Sequence, residues 1–370
     1  ELAKAEDKGK EKPHPSFQAV RQSRFVHRAN GNDQNARADT KPTIIVWDDS
    51  GVNQAEIPDK TLKQEAPVLI YQMNKLPCEG KLWDKVRQNA GVTANQRSFP
   101  VVFVVVDMDE LRGLGLYISR GISWEKTMED FRTNIPAIIK KMTLPRNIHL
   151  LVRCGYEGVI WVLPKAPGPD TAVQFISHMV PDMAEGDLLH RYHDKMPGID
   201  KAFIAGLVAS LADQSQTSPQ DLGRTQVGTA VDRAITWSHR FASAGFCKDS
   251  MGVVNYPEAS KINNDQKPKP RVIYADSDTY KDEPWQLFTQ LEKEQDNVAA
   301  ITVMWGTNVI EGNVPTARYG DLITADRYEI EGYRSTAAVI HQYLRGKAKN
   351  PMSIAVFGQP GAGKSFGVKR

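Results

Sequence analysis

The sequence predicts an α/β fold, a three-layer sandwich in which a mostly parallel β-sheet lies between two layers of helices. The strongest indication is the apolar run Val101–Val106, which follows Pro100 and shows no alternation. Such a run is typical of a strand buried on both faces, as in a parallel sheet covered by helices. Shorter β-branched runs and helical patterns alternate around it, which favours an α/β sandwich over residues 42–248.

The elements of this sandwich can be assigned in chain order. A helix is predicted to begin after Ser123, whose hydroxyl is a suitable N-cap, and further helices are predicted from Asp200 and over Val227–Ala244. Two apolar runs flank the turn Gly155-Tyr156-Glu157-Gly158, which predicts neighbouring strands. The predicted strands lie at residues 43–47, 68–71, 100–106, 148–152 and 159–163.

Composition and charge exclude several classes of protein. The 370 residues are 41% hydrophobic and 25% charged, as in a globular protein, and no apolar run reaches the roughly 18 residues of a membrane span. The net charge of +3 comes from residues 1–41, which hold nine Lys and Arg against six Asp and Glu. That segment is predicted to be a disordered or loosely attached tail. The neutral remainder argues against a broad nucleic-acid surface.

The three cysteines, Cys78, Cys154 and Cys247, are widely spaced and form no C-x-x-C pair. Neither a disulfide framework nor a zinc site is therefore indicated. A reducing cytoplasm is the expected location.

Beyond residue 248 the pattern changes. Residues 249–270 are predicted to be a linker, and residues 271–350 a connecting α/β segment with strands at 272–274 and 300–305. A helix is predicted from Asp326, because Glu329 completes a capping-box pattern, to a stop at Gly346. One apolar face of this helix is predicted to contain Ile330, Tyr333, Ala337, Ile340 and Leu344.

The strongest functional motif is a phosphate loop, G-x-x-x-x-G-K-S, which follows the apolar lead-in Ile354–Phe357, a predicted strand. Lys364 would neutralise the β- and γ-phosphates, and Ser365 would ligate Mg²⁺. ATP and Mg²⁺ are therefore the predicted ligands, and the alternative is a chance Gly-rich turn. Backbone N–H groups directed at the phosphates are predicted at Gly358, Gly361, Ala362 and Gly363.

Residues 314–370, from V-P-T-A-R-Y-G-D through the helix to the phosphate loop, look like the lead-in and first strand of an AAA-like ATPase. The resemblance implies a protein partner or a homo-oligomer formed through the ATPase. Phosphoryl transfer also needs a metal-holding carboxylate and a group that orients water, which normally follow the loop. We therefore expect residues 351–370 to be the start of a truncated P-loop NTPase domain, and this fragment to be inactive as an ATPase.

A second resemblance concerns residues 42–248. The segment Leu151-Val152-Arg153-Cys154-Gly155-Tyr156-Glu157-Gly158-Val159 resembles the strand–Gly-x-x-Gly–strand of ribokinase-like (PfkB-type) small-molecule kinases. Residues 198–207, G-I-D-K-A-F-I-A-G-L, are similar to that family's G-A-G-D-x-F-x-x-G signature. The resemblance implies a ribokinase-like sandwich in which loop amides hold developing phosphate charge and an Asp deprotonates the substrate hydroxyl.

The second motif departs from the family at the catalytic position. Aligned without gaps, Lys201 occupies the place of the catalytic Asp, and Asp200 occupies that of a glycine. A protonated lysine cannot serve as the base. Either Asp200 has taken over the catalytic role, or the fold persists without kinase chemistry, as in a pseudokinase.

These observations favour an ATP-binding protein in which an inactive ribokinase-like domain senses a ligand or partner and is coupled to a C-terminal P-loop ATPase. One alternative is an active sugar or nucleoside kinase in residues 42–248, with Asp200 as its base. Another is a non-catalytic interaction scaffold.

Overall fold

The protein contains an eight-stranded sheet with helices on both faces. The computed structural model describes residues 20–26, 43–49, 57, 59–76, 79–90, 96–145, 147–164, 173–191, 196–214, 222–262, 270–276, 286–287, 300, 302–346, 351–357 and 360. The strands are β1 (Val20–Val26), β2 (Ile44–Asp49), β3 (Val68–Met73), β4 (Val101–Asp107), β5 (His149–Cys154), β6 (Gly158–Val162), β7 (Phe175–Met179) and β10 (Ile273–Asp276). They lie in the spatial order β1-β2-β3-β4-β5-β6-β7-β10.

Two small hairpins and nine helices complete the labelled elements among the described residues. The hairpins pair β8 (Cys247–Lys248) with β9 (Val254–Asn255), and β11 (Ala317–Tyr319) with β12 (Leu322–Thr324). The helices are α1 (Asp59–Leu62), α2 (Lys81–Ala90), α3 (Met108–Gly113), α4 (Trp124–Met142), α5 (Asp187–Arg191), α6 (Ile199–Gln214), α7 (Arg224–Ala244), α8 (Ala259–Ile262) and α9 (Arg327–Arg345).

The centre of the sheet is parallel, as predicted. Strands β2, β3, β4 and β5 pair in parallel, whereas β1 pairs with β2, and β6, β7 and β10 add on the other side, in antiparallel fashion. Five of the eight strands, β2 to β5 and β7, therefore run in the same direction. The predicted strands at 43–47, 68–71, 100–106, 148–152 and 159–163 all correspond to strands of this sheet.

The two faces of the sheet carry separate apolar cores. Alternate residues such as Trp47 and Val104 pack against α2 and α4, while Val46 and Phe103 pack against α6 and α7. Because β2 to β5 are added in one direction, right-handed crossovers place their connecting helices on a single face. The second helical layer has to come from later in the chain, and α6 and α7 supply it. The predicted three-layer α/β sandwich is confirmed.

Two strands of the sheet come from segments that the sequence analysis placed outside the sandwich. β1 lies within the predicted tail, where backbone hydrogen bonds to β2 stabilise residues that have too few apolar side chains to fold alone. β10 lies within the predicted connecting segment and pairs with β7, from Ile273 opposite Met179 to Asp276 opposite Ile176. The sheet therefore extends beyond the predicted limits of residues 42 and 248.

Two predicted strands are wrong. Residues 302–305, within the predicted strand 300–305, form one helical turn, and Val303, Met304 and Trp305 are exposed. Ile354–Phe357, the predicted lead-in to the phosphate loop, has no regular secondary structure, and Phe357 is 90% exposed. Both runs are apolar, but an isolated apolar run cannot form a strand unless a neighbouring strand accepts its backbone hydrogen bonds.

The predicted helix caps are confirmed. Ser123 Oγ accepts a hydrogen bond from the N–H of Lys126 at 2.9 Å and begins α4. Asp326 Oδ1 accepts from the N–H of Glu329 at 3.0 Å and begins α9, which ends at Gly346. The predicted apolar face of α9 is buried only at Ile330. No helix among the described residues is long and apolar enough to cross a membrane.

The buried carboxylate of Glu125, in the first turn of α4, is expected to make the stability of the protein depend on pH. Glu125 is 2% exposed, and its Oε1 accepts the N–H of Leu287 at 3.1 Å, while its Oε2 has no partner among the described residues. Burial raises the pKa of Glu125 above 4.5, against the lowering effect of its backbone hydrogen bonds and of Arg327. The folded protein then binds the proton more tightly than the unfolded chain. The free energy of unfolding therefore falls as the pH rises from the pKa of Glu125 in the unfolded chain to its higher pKa in the folded protein.

We expect Glu125→Gln to remove that part of the pH dependence, because glutamine keeps an acceptor for Leu287 without a buried charge. At pH 7 the free energy of unfolding should rise by about 1 kcal/mol. Urea unfolding at several pH values between about 4.5 and 8 measures both effects. The exposed residue Glu258 offers the control Glu258→Gln. A wild-type pH slope in Glu125→Gln would contradict the assignment.

Candidate functional site

A polar cluster lies where the parallel strands end. The carboxyl ends of β2 to β5 meet at one edge of the sheet, where α/β proteins commonly bind ligands. Asp48 lies opposite Gln72, and Asp107 opposite Arg153. All four continue the alternation of the residues that pack against α6 and α7, so their side chains belong to that face.

The first turn of α6 brings Asp200 and Lys201 to this edge. Lys201 Nζ lies 2.5 Å from Asp48 Oδ2, 3.0 Å from Gln72 Oε1 and 3.3 Å from Asp200 Oδ2. Gln72 Nε2 lies 3.4 Å from Asp200 Oδ2. The predicted catalytic residue, Asp200, therefore lies in the cluster beside a cation, and its catalytic role stays a prediction.

Asn74 joins the cluster to the end of β3. Its Nδ2 donates to Asp48 Oδ1 at 2.6 Å, and its Oδ1 accepts from Gln72 Nε2 at 2.9 Å. Asp48 is thus held by a lysine on one oxygen and by an amide on the other. The polar groups at this edge largely satisfy one another without a ligand.

Arg153 lies deeper at the same edge. It is 4% exposed, and its Nη2 lies 2.7 Å from the carboxylate of Asp107. The guanidinium lies over the rings of Tyr156 and Phe203, at 5.3 and 5.6 Å from their centroids. Burial lowers the pKa of Arg153, but the charges of Asp107, Tyr156 and Asp200 and the hydrogen bond to Asp107 together raise it overall, so the group stays cationic. Among the described residues, its Nε and Nη1 have no hydrogen-bond partner.

An aromatic side chain borders the amino end of α6. Gly198, with φ of +81°, precedes the helix, and a Cβ there would lie 3.1 Å from the ring of Tyr256. Tyr256 stacks on Phe241 and is 54% exposed. The positive φ and the close approach of this ring both favour glycine at position 198.

The Gly-x-x-Gly turn contains a buried carboxylate that sequence reasoning missed. Glu157 is 0% exposed, and its carboxylate accepts the N–H groups of Tyr156 at 2.9 Å, Gly186 at 3.0 Å and Leu188 at 2.5 Å. The family resemblance assigns the amides of this loop to a phosphoryl group, but here the N–H of Tyr156 already binds an internal anion. The available signal was a charged residue inside a short turn between two largely apolar strands.

His239 holds the same turn from α7. Its Nε2 lies 3.0 Å from the carbonyl oxygen of Tyr156. Burial lowers the pKa of His239 to about 4, so the ring is neutral at physiological pH and its Nε2–H can donate to that oxygen. The turn is therefore fixed on both its amide and its carbonyl groups.

The predicted nucleotide-binding residues lie outside the described residues. They are Gly358, Gly361, Ala362, Gly363, Lys364 and Ser365, and the predicted Mg²⁺ ligand Ser365 is among them. Within the described part of the chain, no group of three or more His, Cys, Asp or Glu side chains has the arrangement of a metal site. The phosphate loop therefore stays a prediction from the sequence.

Comparisons with known proteins give one weak similarity. No protein-family model matches the chain, and no curated protein matches it. Among solved structures, the chain is similar to the pyridoxal kinase from Staphylococcus aureus in complex with AMP-PCP, with a TM-score of 0.34 and 12% identity. The match covers 64% of this chain and 73% of that one. At that TM-score the similarity carries no functional conclusion, so the function has to be inferred from the residues of the site.

Proposed function

We propose that this chain belongs to an ATP-binding protein whose α/β domain recognises a ligand or partner without catalysing phosphoryl transfer. The phosphate loop at Gly358–Ser365 would hold the nucleotide, with Mg²⁺ on Ser365. An α/β domain followed by a phosphate loop fits a non-catalytic, ribokinase-like domain that precedes a P-loop ATPase. Partners would be the nucleotide and a protein or second copy bound through the ATPase.

One observation carries the non-catalytic assignment. Lys201, at the position that the family resemblance gives to the base, lies 2.5 Å from Asp48 and 3.3 Å from Asp200. A catalytic carboxylate needs an oxygen that is available to the substrate hydroxyl, whereas Asp200 Oδ2 lies 3.3 Å from Lys201 Nζ and 3.4 Å from Gln72 Nε2. The cluster thus favours a fixed polar surface over a working base.

Two features support ligand recognition at this surface. Arg153 retains two donor nitrogens without a partner among the described residues, and Tyr256 presents a half-exposed ring beside α6. Buried polar groups without partners cost stability, and sites that bind ligands commonly accept that cost.

The nucleotide part is tested by equilibrium binding of ATP to the natural full-length protein. Lys364→Ala should weaken binding by about 10- to 100-fold, because it removes a charge-assisted contact to the phosphates. Lys369→Ala, which changes a lysine outside the motif, is the matched control and should bind as the wild type does. Unchanged affinity in Lys364→Ala would refute the proposal.

A second candidate function is an active sugar or nucleoside kinase in residues 42–248. The observation in its favour is that Asp200 lies at the amino end of α6 with its side chain 33% exposed. This function requires ATP-dependent phosphorylation that survives Lys364→Ala and is lost in Asp200→Asn. Under our proposal, assays with panels of sugars and nucleosides detect no phosphorylation that depends on Asp200.

A further inference from the structure

Helix α9 contacts the α/β domain through its amino-terminal half. Arg327 and Ile330 are the buried residues of its 19, and every residue after Ile330 is half-exposed or exposed. Val339 and Leu344, farther along the helix, are 56% and 71% exposed. The described residues therefore cover the helix most closely at its amino end, and the chain continues from its other end towards the phosphate loop.

The attached end is held by a charged cluster at the amino end of α4. Arg327 Nη1 lies 2.8 Å from Glu129 Oε1, and Arg327 Nε lies 2.7 Å from Glu331 Oε1. The same Glu331 oxygen accepts the hydroxyl of Ser123 at 2.7 Å. Arg334 Nη1 donates to the carbonyl oxygen of Ile122 at 3.0 Å.

The cluster shares its central residue with the N-cap of α4. Ser123 Oγ accepts the N–H of Lys126 while its hydroxyl donates to Glu331, so docking of α9 and capping of α4 use one side chain. The next residue, Trp124, donates from Nε1 to the carbonyl oxygen of Val180 at 3.1 Å and lies directly against Gly158. A chain of contacts therefore runs from α9 through α4 to the Gly-x-x-Gly turn.

The contact is mostly polar. Its apolar part consists of Ile330 and the ring contact of Tyr333 with Tyr319, and the contacts with α4 and the residues just before it are ion pairs or hydrogen bonds. Small polar interfaces between parts of a chain allow relative motion, whereas large apolar ones do not. Such a contact can open while the two cores of the sheet stay intact.

We propose that α9 is a releasable latch, which docks on the amino end of α4 through Arg327 and Glu331 and detaches as a unit without unfolding the sheet. Because α9 leads to the phosphate loop, nucleotide binding shifts the fraction of docked latch. This second statement rests on the proposed function. The coupling needs two discrete arrangements of α9 that the nucleotide stabilises unequally.

Hydrogen exchange on the full chain tests the latch without any ligand. Arg327→Ala should speed exchange of the amides in α9 and in the first turn of α4 by about tenfold or more, since it removes two charge-assisted contacts. Amides of β3, β4 and β5 should exchange at the wild-type rate. Arg345→Ala, which changes an exposed arginine at the carboxyl end of the same helix, is the matched control.

A milder variant guards against general unfolding. Glu129→Gln removes one partner of Arg327 and should give a smaller change in the same amides. Unchanged exchange of α9 in both variants, or an equal increase in β3 to β5, would overturn the latch.

The coupling is tested by the same exchange measurement with and without ATP and Mg²⁺. We expect altered protection of α9 in the wild type and no nucleotide effect in Lys364→Ala. If ATP binds and α9 is unaffected, the coupling is wrong while the proposed function stands. If ATP does not bind, the coupling and the proposed function both fail, and the ligand-free comparison of Arg327→Ala still decides whether the latch exists.

Discussion

Replacing Glu157 by alanine is expected to lower the free energy of unfolding of the α/β domain by about 3–5 kcal/mol. Its carboxylate binds the N–H groups of Tyr156, Gly186 and Leu188, and alanine would leave all three without their acceptor. Each buried donor that loses its partner costs about 1–3 kcal/mol. Burial raises the pKa of Glu157 above 4.5, so the ionised group also carries a desolvation cost, which offsets part of the loss.

Glu157→Gln should lower the free energy of unfolding by less than Glu157→Ala does, because the three donors divide between the two oxygens. Oε2 accepts from Tyr156 and Gly186, and Oε1 accepts from Leu188. A glutamine can keep its oxygen on the first pair, but its NH₂ group then faces the N–H of Leu188. We expect a loss of about 1–3 kcal/mol, from one unpaired amide.

Chemical denaturation of the two variants and of Glu79→Ala measures this series. Glu79 is exposed, so its replacement should change the free energy of unfolding by less than about 0.5 kcal/mol. A loss in Glu157→Ala no larger than in this control would mean that the carboxylate does not organise the turn.

The sequence was sufficient where structure depends on neighbouring residues. The run Val101–Val106 predicted a fully buried strand, and all its residues but Val101 are buried. Ser123 and Asp326 were recognised as N-caps because a cap satisfies donors two or three residues away. These signals are local, so one sequence contains them.

What the sequence could not provide depends on partners that are distant in the chain. Lys201 meets Asp48 across 153 positions, and Glu157 meets Leu188 across 31. Residues 302–305 and Ile354–Phe357 have the apolar composition of strands, but composition does not specify a neighbouring strand. The resemblance of residues 198–207 to the family signature was enough to place the candidate site at Asp200. The ion pairs of Lys201 with Asp48 and Asp200 could be identified only from the fold.

The second large effect that we expect is the destabilisation caused by Gly158→Ala. A double-mutant cycle with Trp124 tests its cause. A Cβ at Gly158 would lie 2.7 Å from Cη2 and 2.8 Å from Cζ3 of Trp124, and 3.3 Å from the carbonyl oxygen of His178. Trp124 is 4% exposed and donates to Val180, so its ring cannot easily move aside. Gly158→Ala should therefore cost about 2–3 kcal/mol through overpacking.

If Trp124 is the side chain that clashes with the new methyl group, the loss of stability in the double variant should be smaller than the sum of the two single losses. Trp124→Phe should cost about 1–2 kcal/mol alone, because it loses ring volume and the hydrogen bond to Val180. In the double variant the shorter ring leaves room for the new methyl group, so the combined loss should fall short of the sum by at least about 1 kcal/mol. Gly113→Ala, where a Cβ meets nothing within 4 Å, is the control and should not be destabilising. Losses that add to within about 0.5 kcal/mol would show that Trp124 does not restrict Gly158, and the contact path from α9 to the Gly-x-x-Gly turn would then be broken at its last step.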